Sequence, residues 1–301
     1  MPVKKPDLSI IVISYNTKEI TENCIRSIGV SLRNAPFQTE IILIDNASAD
    51  DTVTELKKLI PALPQTVSLH IVENSVNSGF AKANNQGVKI ARGDYLLLLN
   101  SDTVVLDDAI SKLLLFFRKH PEVHFLGPKL FNKDMTPQAS SAPFYTLPVI
   151  FAALFLRGDY WGLTRNSPSR FTQTGWISGA CILTTKANYE KVGGFDEGIF
   201  MYMDEVDLLY RASRMGLAAF FYPDAQFIHL GSASSNGKTY PILQVYRGFL
   251  YFYKKHRTPF ELLLLRFMLQ LKAVVSIIIG YITNNSYLKK TYAEAYTLAR
   301  Q

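Results

Sequence analysis

Residues 93–103 read GDYLLLLNSDT. Tyr95 to Leu99 is apolar without alternation, the pattern of a strand covered on both faces, and it is predicted as the centre of a buried parallel sheet. Asn100, Ser101 and Asp102 follow at its carboxyl end. Outward from it, short apolar runs alternate with amphipathic stretches, the signature of βαβ units. Strands are predicted at Leu8 to Ser14, Glu40 to Ile44 and Ser68 to Val72, and helices over Thr17 to Ile28, Asp51 to Leu59 and Ala81 to Ala91. In such sheets ligands sit beyond the carboxyl ends of the strands. That rule lines up Tyr15 and Asn16, Asp45 and Asn46, and Asn100 to Asp102 along one edge.

Farther on the pattern changes. Residues 128–171 are rich in Pro, Ser and aromatics, have no clear period, and read as a long loop region near the site. Strand character resumes over Trp176 to Thr184, a helix is expected over Asp204 to Met215, closed by Gly216, and a strand over Ala219 to Tyr222. Asp204, Glu205 and Asp207 crowd the first turn of that helix. The helix dipole favours acids there, and Asp207 can pair with Arg211 one turn on, but neither effect requires all three. Asp50 precedes a helical run and reads as its cap.

At 301 residues the chain can form a large domain with a smaller appendage. The division expected is residues 1–240 for the main domain and 241–301 for a basic, apolar, helical tail. From Arg247 onward stand nine Lys and Arg against Glu261 and Glu294, which accounts for the whole net charge of +7. A basic tail points to an anionic surface. It is rich in Leu and Ile and lacks the interleaved basic and aromatic residues of a nucleic-acid groove, so anionic lipid is favoured over nucleic acid. Leu262 to Ile282 is long enough to span a bilayer, but Arg266 and Lys272 would each cost about 2.5–3.5 kcal/mol at its centre. Arg266, Gln270, Lys272 and Ser276 share one broad side of the helix, with Leu, Ile, Val and Phe on the other. A helix lying in the membrane interface is one expectation, with Lys254, Lys255, Arg257, Lys289 and Lys290 facing headgroups. A helix packed on the protein's own core, or on a second subunit in a homo-oligomer, is the other. Cys24 and Cys181 are read as buried reduced thiols. The apolar run after Lys4 and Lys5 is too short for a signal-peptide core, so the expected location is the cytoplasm, peripheral to the membrane.

Seven segments, in order, carry a resemblance: SIIVISYN (9–16), IILIDNASADDT (41–52), NSGFAKANNQG (77–87), GDYLLLLNSDT (93–103), ISGACILTTKANYEKVGGFDE (177–197), FMYMDEVDLLYR (200–211) and FIHLGS (227–232). Together they resemble the glycosyltransferase family 2 enzymes of the GT-A fold, and in particular their bacterial rhamnosyltransferase-like branch. The resemblance implies an α/β fold of the GT-A type: a Rossmann-like, mixed but mostly parallel sheet flanked by helices, here with a C-terminal helical appendage.

It also implies roles. Asp45 lies where the family holds the nucleotide base, and its carboxylate suits a pyrimidine ring N–H. Tyr15, Asn16, Asn77, Gly79, Lys82, Asn100 and Ser101 are the other candidates for holding the nucleotide sugar. Asp102 is the second acid of the family's DxD pattern, with Asn100 in place of the first, and His229 stands where many GT-A enzymes supply a further ligand. Asp102 and His229 are therefore the candidate ligands of Mn²⁺ or Mg²⁺, which neutralises charge as the nucleotide leaves. Glu205 occupies the position of the family's base, with Asp204 beside it, although the family usually reads Glu-Asp here. Trp176 is open to two readings, stacking on a sugar or packing in the core.

The expected activity is inverting, non-processive transfer of a sugar, with dTDP-rhamnose as the suggested donor, from a nucleotide diphosphate to a glycan acceptor that is polyprenyl-linked. The processive synthases carry QxxRW, whereas residues 244–248 here read QVYRG. A dehydrogenase would need GxGxxG after the first strand, where SYNT stands instead. A nucleotidyltransferase would need a Gly-rich basic loop there. The remaining alternative is a non-catalytic nucleotide-sugar binder.

Overall fold

A computed structural model of the chain describes residues 5–199, 202–231 and 239–301. Phe200, Met201 and Ser232, which belong to two of the quoted motifs, lie outside the described residues. The elements run β1 (Leu8–Ser14), α1 (Lys18–Ser31), β2 (Thr39–Asp45), α2 (Thr52–Lys57), β3 (Val67–Glu73), α3 (Phe80–Ile90), β4 (Tyr95–Asn100) and β5 (Thr103–Val105). Next come α4 (Ala109–Lys119), β6 (Phe125–Phe131), β7 (Pro137–Gln138), β8 (Ser141–Ala142), α5 (Leu147–Phe155), β9 (Thr172–Thr174), β10 (Trp176–Ile177), β11 (Cys181–Thr185) and α6 (Lys186–Val192). The chain ends with α7 (Asp204–Arg214), β12 (Ala219–His229), α8 (Thr239–His256), α9 (Pro259–Ile282) and α10 (Ser286–Arg300).

The main sheet has the order β3-β2-β1-β4-β11-β6-β12-β5. Strands β1 to β4 are mutually parallel, and β11 runs antiparallel between β4 and β6. This is the mixed, mostly parallel α/β sheet expected. Its unbroken apolar strands are explained by two cores. Ile11, Leu96 and Leu98 face the side covered by α3 and α6 to α10. Ile10, Val12, Leu97 and Leu99 face the side covered by α1, α2 and α4. Each such side chain contributes roughly 1.5–3 kcal/mol on burial, so a polar residue at any of these positions would be costly on either face.

Two expectations are corrected. Residues 128–171 are not a long loop: β6 continues to Phe131, two short strands follow, and α5 is a helix. Trp176 to Thr184 is not one strand either, because β10 ends at Ile177 and β11 begins at Cys181, leaving Ser178 to Ala180 between them. Both cysteines are free and buried. Burial pushes the Cys24 thiol up to about 12, so it is inert at neutral pH.

The last three helices form a layer over one face. Leu265 and Leu269 of α9 and Ala295 and Ala299 of α10 are fully buried in the same core cluster as Leu98. Helix α9 begins with a capping box: Thr258 Oγ1 accepts from Glu261 N at 3.2 Å and Thr258 N donates to Glu261 Oε2 at 3.0 Å.

Candidate active site

Register places the candidate residues side by side. Ser14 at the end of β1 is paired with Asp45 on β2, and Ile13 with Asn100 on β4. Beyond β4, Asn100 N donates to Ala180 O at 2.9 Å, which brings the Ser178–Ala180 turn to the same edge. Glu205 lies against Gly179 there: a Cβ built on that glycine would sit 3.6 Å from the Glu205 carboxyl carbon. One edge of the sheet thus carries Asp45, Asn100, Asp102 and Glu205.

Asp45 is almost fully buried. Its Oδ2 accepts from Ser48 N at 2.9 Å, whereas Oδ1 is buried with no hydrogen-bond partner among the described residues. An unpaired buried acceptor costs about 1–3 kcal/mol, so this atom is prepared for a donor that the folded chain does not provide. The loop after Asp45 is held by Asn16, whose Oδ1 accepts from Ala49 N at 2.7 Å and whose N donates to Ser48 Oγ at 2.9 Å. Tyr15 is exposed beside it. Asp50 is not the N-cap, which is Asp51, because the helix begins one residue later than expected. The Asp50 carboxylate accepts from Thr52 N at 3.2 Å and from Lys18 N at 3.1 Å, joining the starts of α2 and α1.

Asn46 has a role the sequence reading missed. Its Nδ2 donates to Asn77 Oδ1 at 2.9 Å, and its Oδ1 accepts from Ser78 N and from Asn74 Nδ2, both at 3.1 Å. Asn77 Oδ1 also accepts from Gly79 N at 3.0 Å, so that oxygen serves the loop. Gly79 has φ 83° as the residue preceding α3, a conformation that favours glycine. Lys82 is exposed in the first turn of α3.

The pairing of β5 with β12 sets His229 opposite Thr103, next to Asp102. His229 Nε2 lies 3.3 Å from Asp102 Oδ1. His229 Nδ1 is 2.7 Å from Gln138 Oε1, and Gln138 Nε2 donates to His229 O at 3.1 Å and to Asn132 Oδ1 at 2.9 Å. The amide is therefore oriented with its oxygen toward the ring, so Nδ1 donates to it and Nε2 faces the Asp102 carboxylate. Two such atoms attract only through a shared proton or cation. Their separation suits two ligands of one divalent ion, each about 2.1 Å away. No group of three or more His, Cys, Asp or Glu suited to a metal occurs among the described residues, so further ligands would be amide, hydroxyl, carbonyl, phosphate or water oxygens. Gln138 had no signal in the sequence, because the contact joins residues 91 positions apart.

Asp204 and Glu205 begin α7 directly after Tyr202 and Met203, which have φ 63° and 67°. Two consecutive left-handed non-glycine residues mark a strained entry to the acidic helix. Burial, and then the neighbouring Glu205 charge, push the Asp204 carboxyl well above the usual range. Asp207 is fully buried and takes no place at the edge. It accepts from Arg211 Nε at 2.8 Å, Lys255 Nζ at 2.9 Å and His256 Nε2 at 2.6 Å. Burial raises its carboxyl, but the bonds from His256 and Lys255 and the Arg211 charge outweigh it and hold the group low. Lys255 also reaches Asp196 Oδ2 at 2.5 Å, tying α7 and α8 to the segment after α6. Trp176 is buried in the core beneath the Arg165 guanidinium, 5.4 Å from the ring centroid, which settles its two readings in favour of packing.

The comparisons agree with this fold. Among solved structures, a mannosyltransferase from Pyrobaculum calidifontis in complex with GDP-Man and Mn²⁺ superposes with a TM-score of 0.60 at 16% identity, over 100% of this chain and 82% of that one. Residues 1–349 of Staphylococcus aureus TarS with UDP-GlcNAc superpose at 0.56 and 15% identity, over 98% and 90%. These likenesses show the GT-A fold. In sequence, an N-acetylglucosaminyl-diphospho-decaprenol L-rhamnosyltransferase of Mycobacterium tuberculosis is 25% identical over 253 residues, 77% of this chain and 78% of the relative. A poly-beta-1,6-N-acetyl-D-glucosamine synthase of Staphylococcus epidermidis is 28% identical over 191 residues, 63% and 42% of the two chains. The profile described as Glycosyl transferase family 2 matches residues 9–193, more than half of the chain, and the protein belongs to that family of glycosyltransferases.

Proposed function

We propose that the protein is an inverting, non-processive glycosyltransferase of cell-surface glycan synthesis. It moves a sugar, with dTDP-rhamnose the leading candidate, from a nucleotide diphosphate to a polyprenyl-linked glycan. The observation that carries this reading is the sharing of one sheet edge by the Asp102–His229 pair and Glu205. The named activity of the mycobacterial relative supports the donor and acceptor. Residues 1–240 form the catalytic unit and 241–301 the part that meets the membrane, where the enzyme works peripherally from the cytoplasm.

Asp45 receives the ring N–H of the base through its unpaired Oδ1, while Tyr15, Asn16, Asn77, Gly79, Lys82, Asn100 and Ser101 surround the rest of the donor. Asp102 and His229 would hold Mn²⁺ or Mg²⁺, and such an ion would supply positive charge to offset that of the diphosphate leaving group. The acceptor oxygen bonds to the anomeric carbon as the bond from that carbon to phosphate oxygen breaks. The electron pair leaves with the diphosphate, and the acceptor proton passes to Glu205. Burial disfavours the charged form of Asp204, and Glu205 is the member of the pair that lies against Gly179 at the edge, so the base role is given to Glu205. A panel of UDP- and dTDP-sugars, tested for binding and for acceptor-dependent release of nucleoside diphosphate with Mn²⁺ or Mg²⁺, tests this reading. Binding of none of them would reject it.

A further inference from the structure

Helix α9 is turned the opposite way from an ordinary surface helix. Its polar side chains point inward: Arg266 Nη2 donates to Gln301 O at 2.9 Å and Gln270 Nε2 to Ala299 O at 3.1 Å, both at the end of α10. Its outward face presents Phe260, Leu263, Phe267, Val274, Ile278 and Ile282, all exposed, the last at 79%. Recurrence at three and four positions makes these a single stripe along 24 residues. Apolar patches of such extent on a soluble surface mark an interaction site.

A second element continues the patch. Helix α5 packs against α9. The loop after it is ordered, with Leu163 N donating to Gly158 O at 2.9 Å and Gly162 N to Asp159 O at 3.2 Å. Yet it leaves Leu156 and Leu163 exposed, with Tyr160 at 78% and Trp161 at 68%. The same loop leads into Arg165, which covers Trp176, and Trp176 begins the segment that runs to Gly179 and Glu205.

We infer that the outer face of α9 and the tip of the 156–163 loop form one surface that seats in an anionic lipid bilayer, with α9 lying in the plane of the interface. This rests on the proposed function for its purpose: it would bring the catalytic edge to a lipid-linked acceptor. Charge selects the occupant. The excess of +7 is confined to residues 247–301. Although Lys255 is engaged by Asp196 and Asp207 and Arg266 by Gln301, Lys254 and Lys290 stand exposed, so a second copy would set one basic tail against another, whereas anionic headgroups complement it. Tyr and Trp are the side chains that suit the headgroup level. A spanning α9 is disfavoured because Leu265, Leu269 and Ala273 are fully buried against the protein and would have to leave it.

The chain's two tryptophans provide the test, because Trp161 is exposed and Trp176 is buried at 3%. Intact protein is mixed with phosphatidylglycerol–phosphatidylcholine vesicles, plain or with brominated acyl chains, and Trp emission and flotation are read. The expected result is a blue shift, quenching by the brominated chains and flotation. The shift and quenching should be lost in Trp161→Phe, and flotation in Phe267→Glu and Leu263→Glu. UDP or dTDP affinity, unchanged in all three variants, reports that they fold; failure of the intact protein to bind any nucleotide would count against the proposed function and not against this surface. Absence of the shift and of flotation in intact protein, burial of Trp161 by concentration-dependent dimerisation, or retention in vesicles after alkaline carbonate would each overturn the inference.

Discussion

His229 Nε2 stands 3.3 Å from Asp102 Oδ1, while His229 Nδ1 is committed to Gln138. A ring nitrogen and a carboxylate oxygen are thus brought together where β12 meets the turn before β5, an arrangement that a shared proton or a divalent cation would hold. Asp102→Asn is expected to abolish turnover, and a chelator to do the same. Full activity in chelator would exclude a metal-dependent mechanism.

Gln138 touches neither donor nor acceptor in this account. It orients the imidazole, and loss of such a partner typically weakens metal affinity by about 10–100-fold. Gln138→Leu should therefore raise the Mn²⁺ concentration needed for half-maximal activity while leaving activity at saturating Mn²⁺ near that of the parent. An unchanged Mn²⁺ titration would show that the ring is held by other means.

Asp45 was nominated by its place at a strand end, and the structure adds the unpaired Oδ1. Asp45→Ala should weaken UDP or dTDP affinity by calorimetry, and it should also relieve a buried unpaired acceptor, so folding stability need not fall with it. An unchanged dissociation constant would remove Asp45 from the site.

Much of this edge was legible because its strands are apolar on both faces, and a buried parallel strand leaves no room for another pattern. What was missed has particular causes. β6 reads FLGPKLF, and Gly127 and Pro128 argue against a strand. Pro128 is paired with Tyr222 of β12 where that register shifts, and on the other side of β6 it lies between the residues paired with β11 and those paired with β7. A Cβ at Gly127 would lie 2.7 Å from Ile177 Cβ, so the close approach requires the glycine. Helix α5, LPVIFAALF, is apolar all round and has no polar face to reveal a period. Gln138 and the Asn46 hub act through contacts between segments far apart in sequence, which local pattern cannot register.

The ion pairs of Lys255 predict a pH effect. Burial raises the Asp196 carboxyl, but hydrogen bonds from Lys255, Gly198 N and Tyr251 outweigh it and lower the group from 3.8 to about 2. A folded value below the unfolded one contributes stability that is present above about pH 4 and is lost as the pH falls through the folded value. Lys255→Met should therefore lower the melting temperature at neutral pH, and the gap from the parent should narrow toward pH 2. A gap of equal size at both ends would show that Lys255 acts by packing alone.

The central claim is that this edge performs glycosyl transfer with Glu205 as base, and kcat of Glu205→Gln beside Asp204→Asn tests it most directly. Removing a general base typically lowers the rate by roughly 10²–10⁴. With the donor that the panel identifies, Glu205→Gln should lose activity on that scale at unchanged donor affinity, while Asp204→Asn should lose less. A nearly fully active Glu205→Gln together with a dead Asp204→Asn would contradict the account and move the base by one residue.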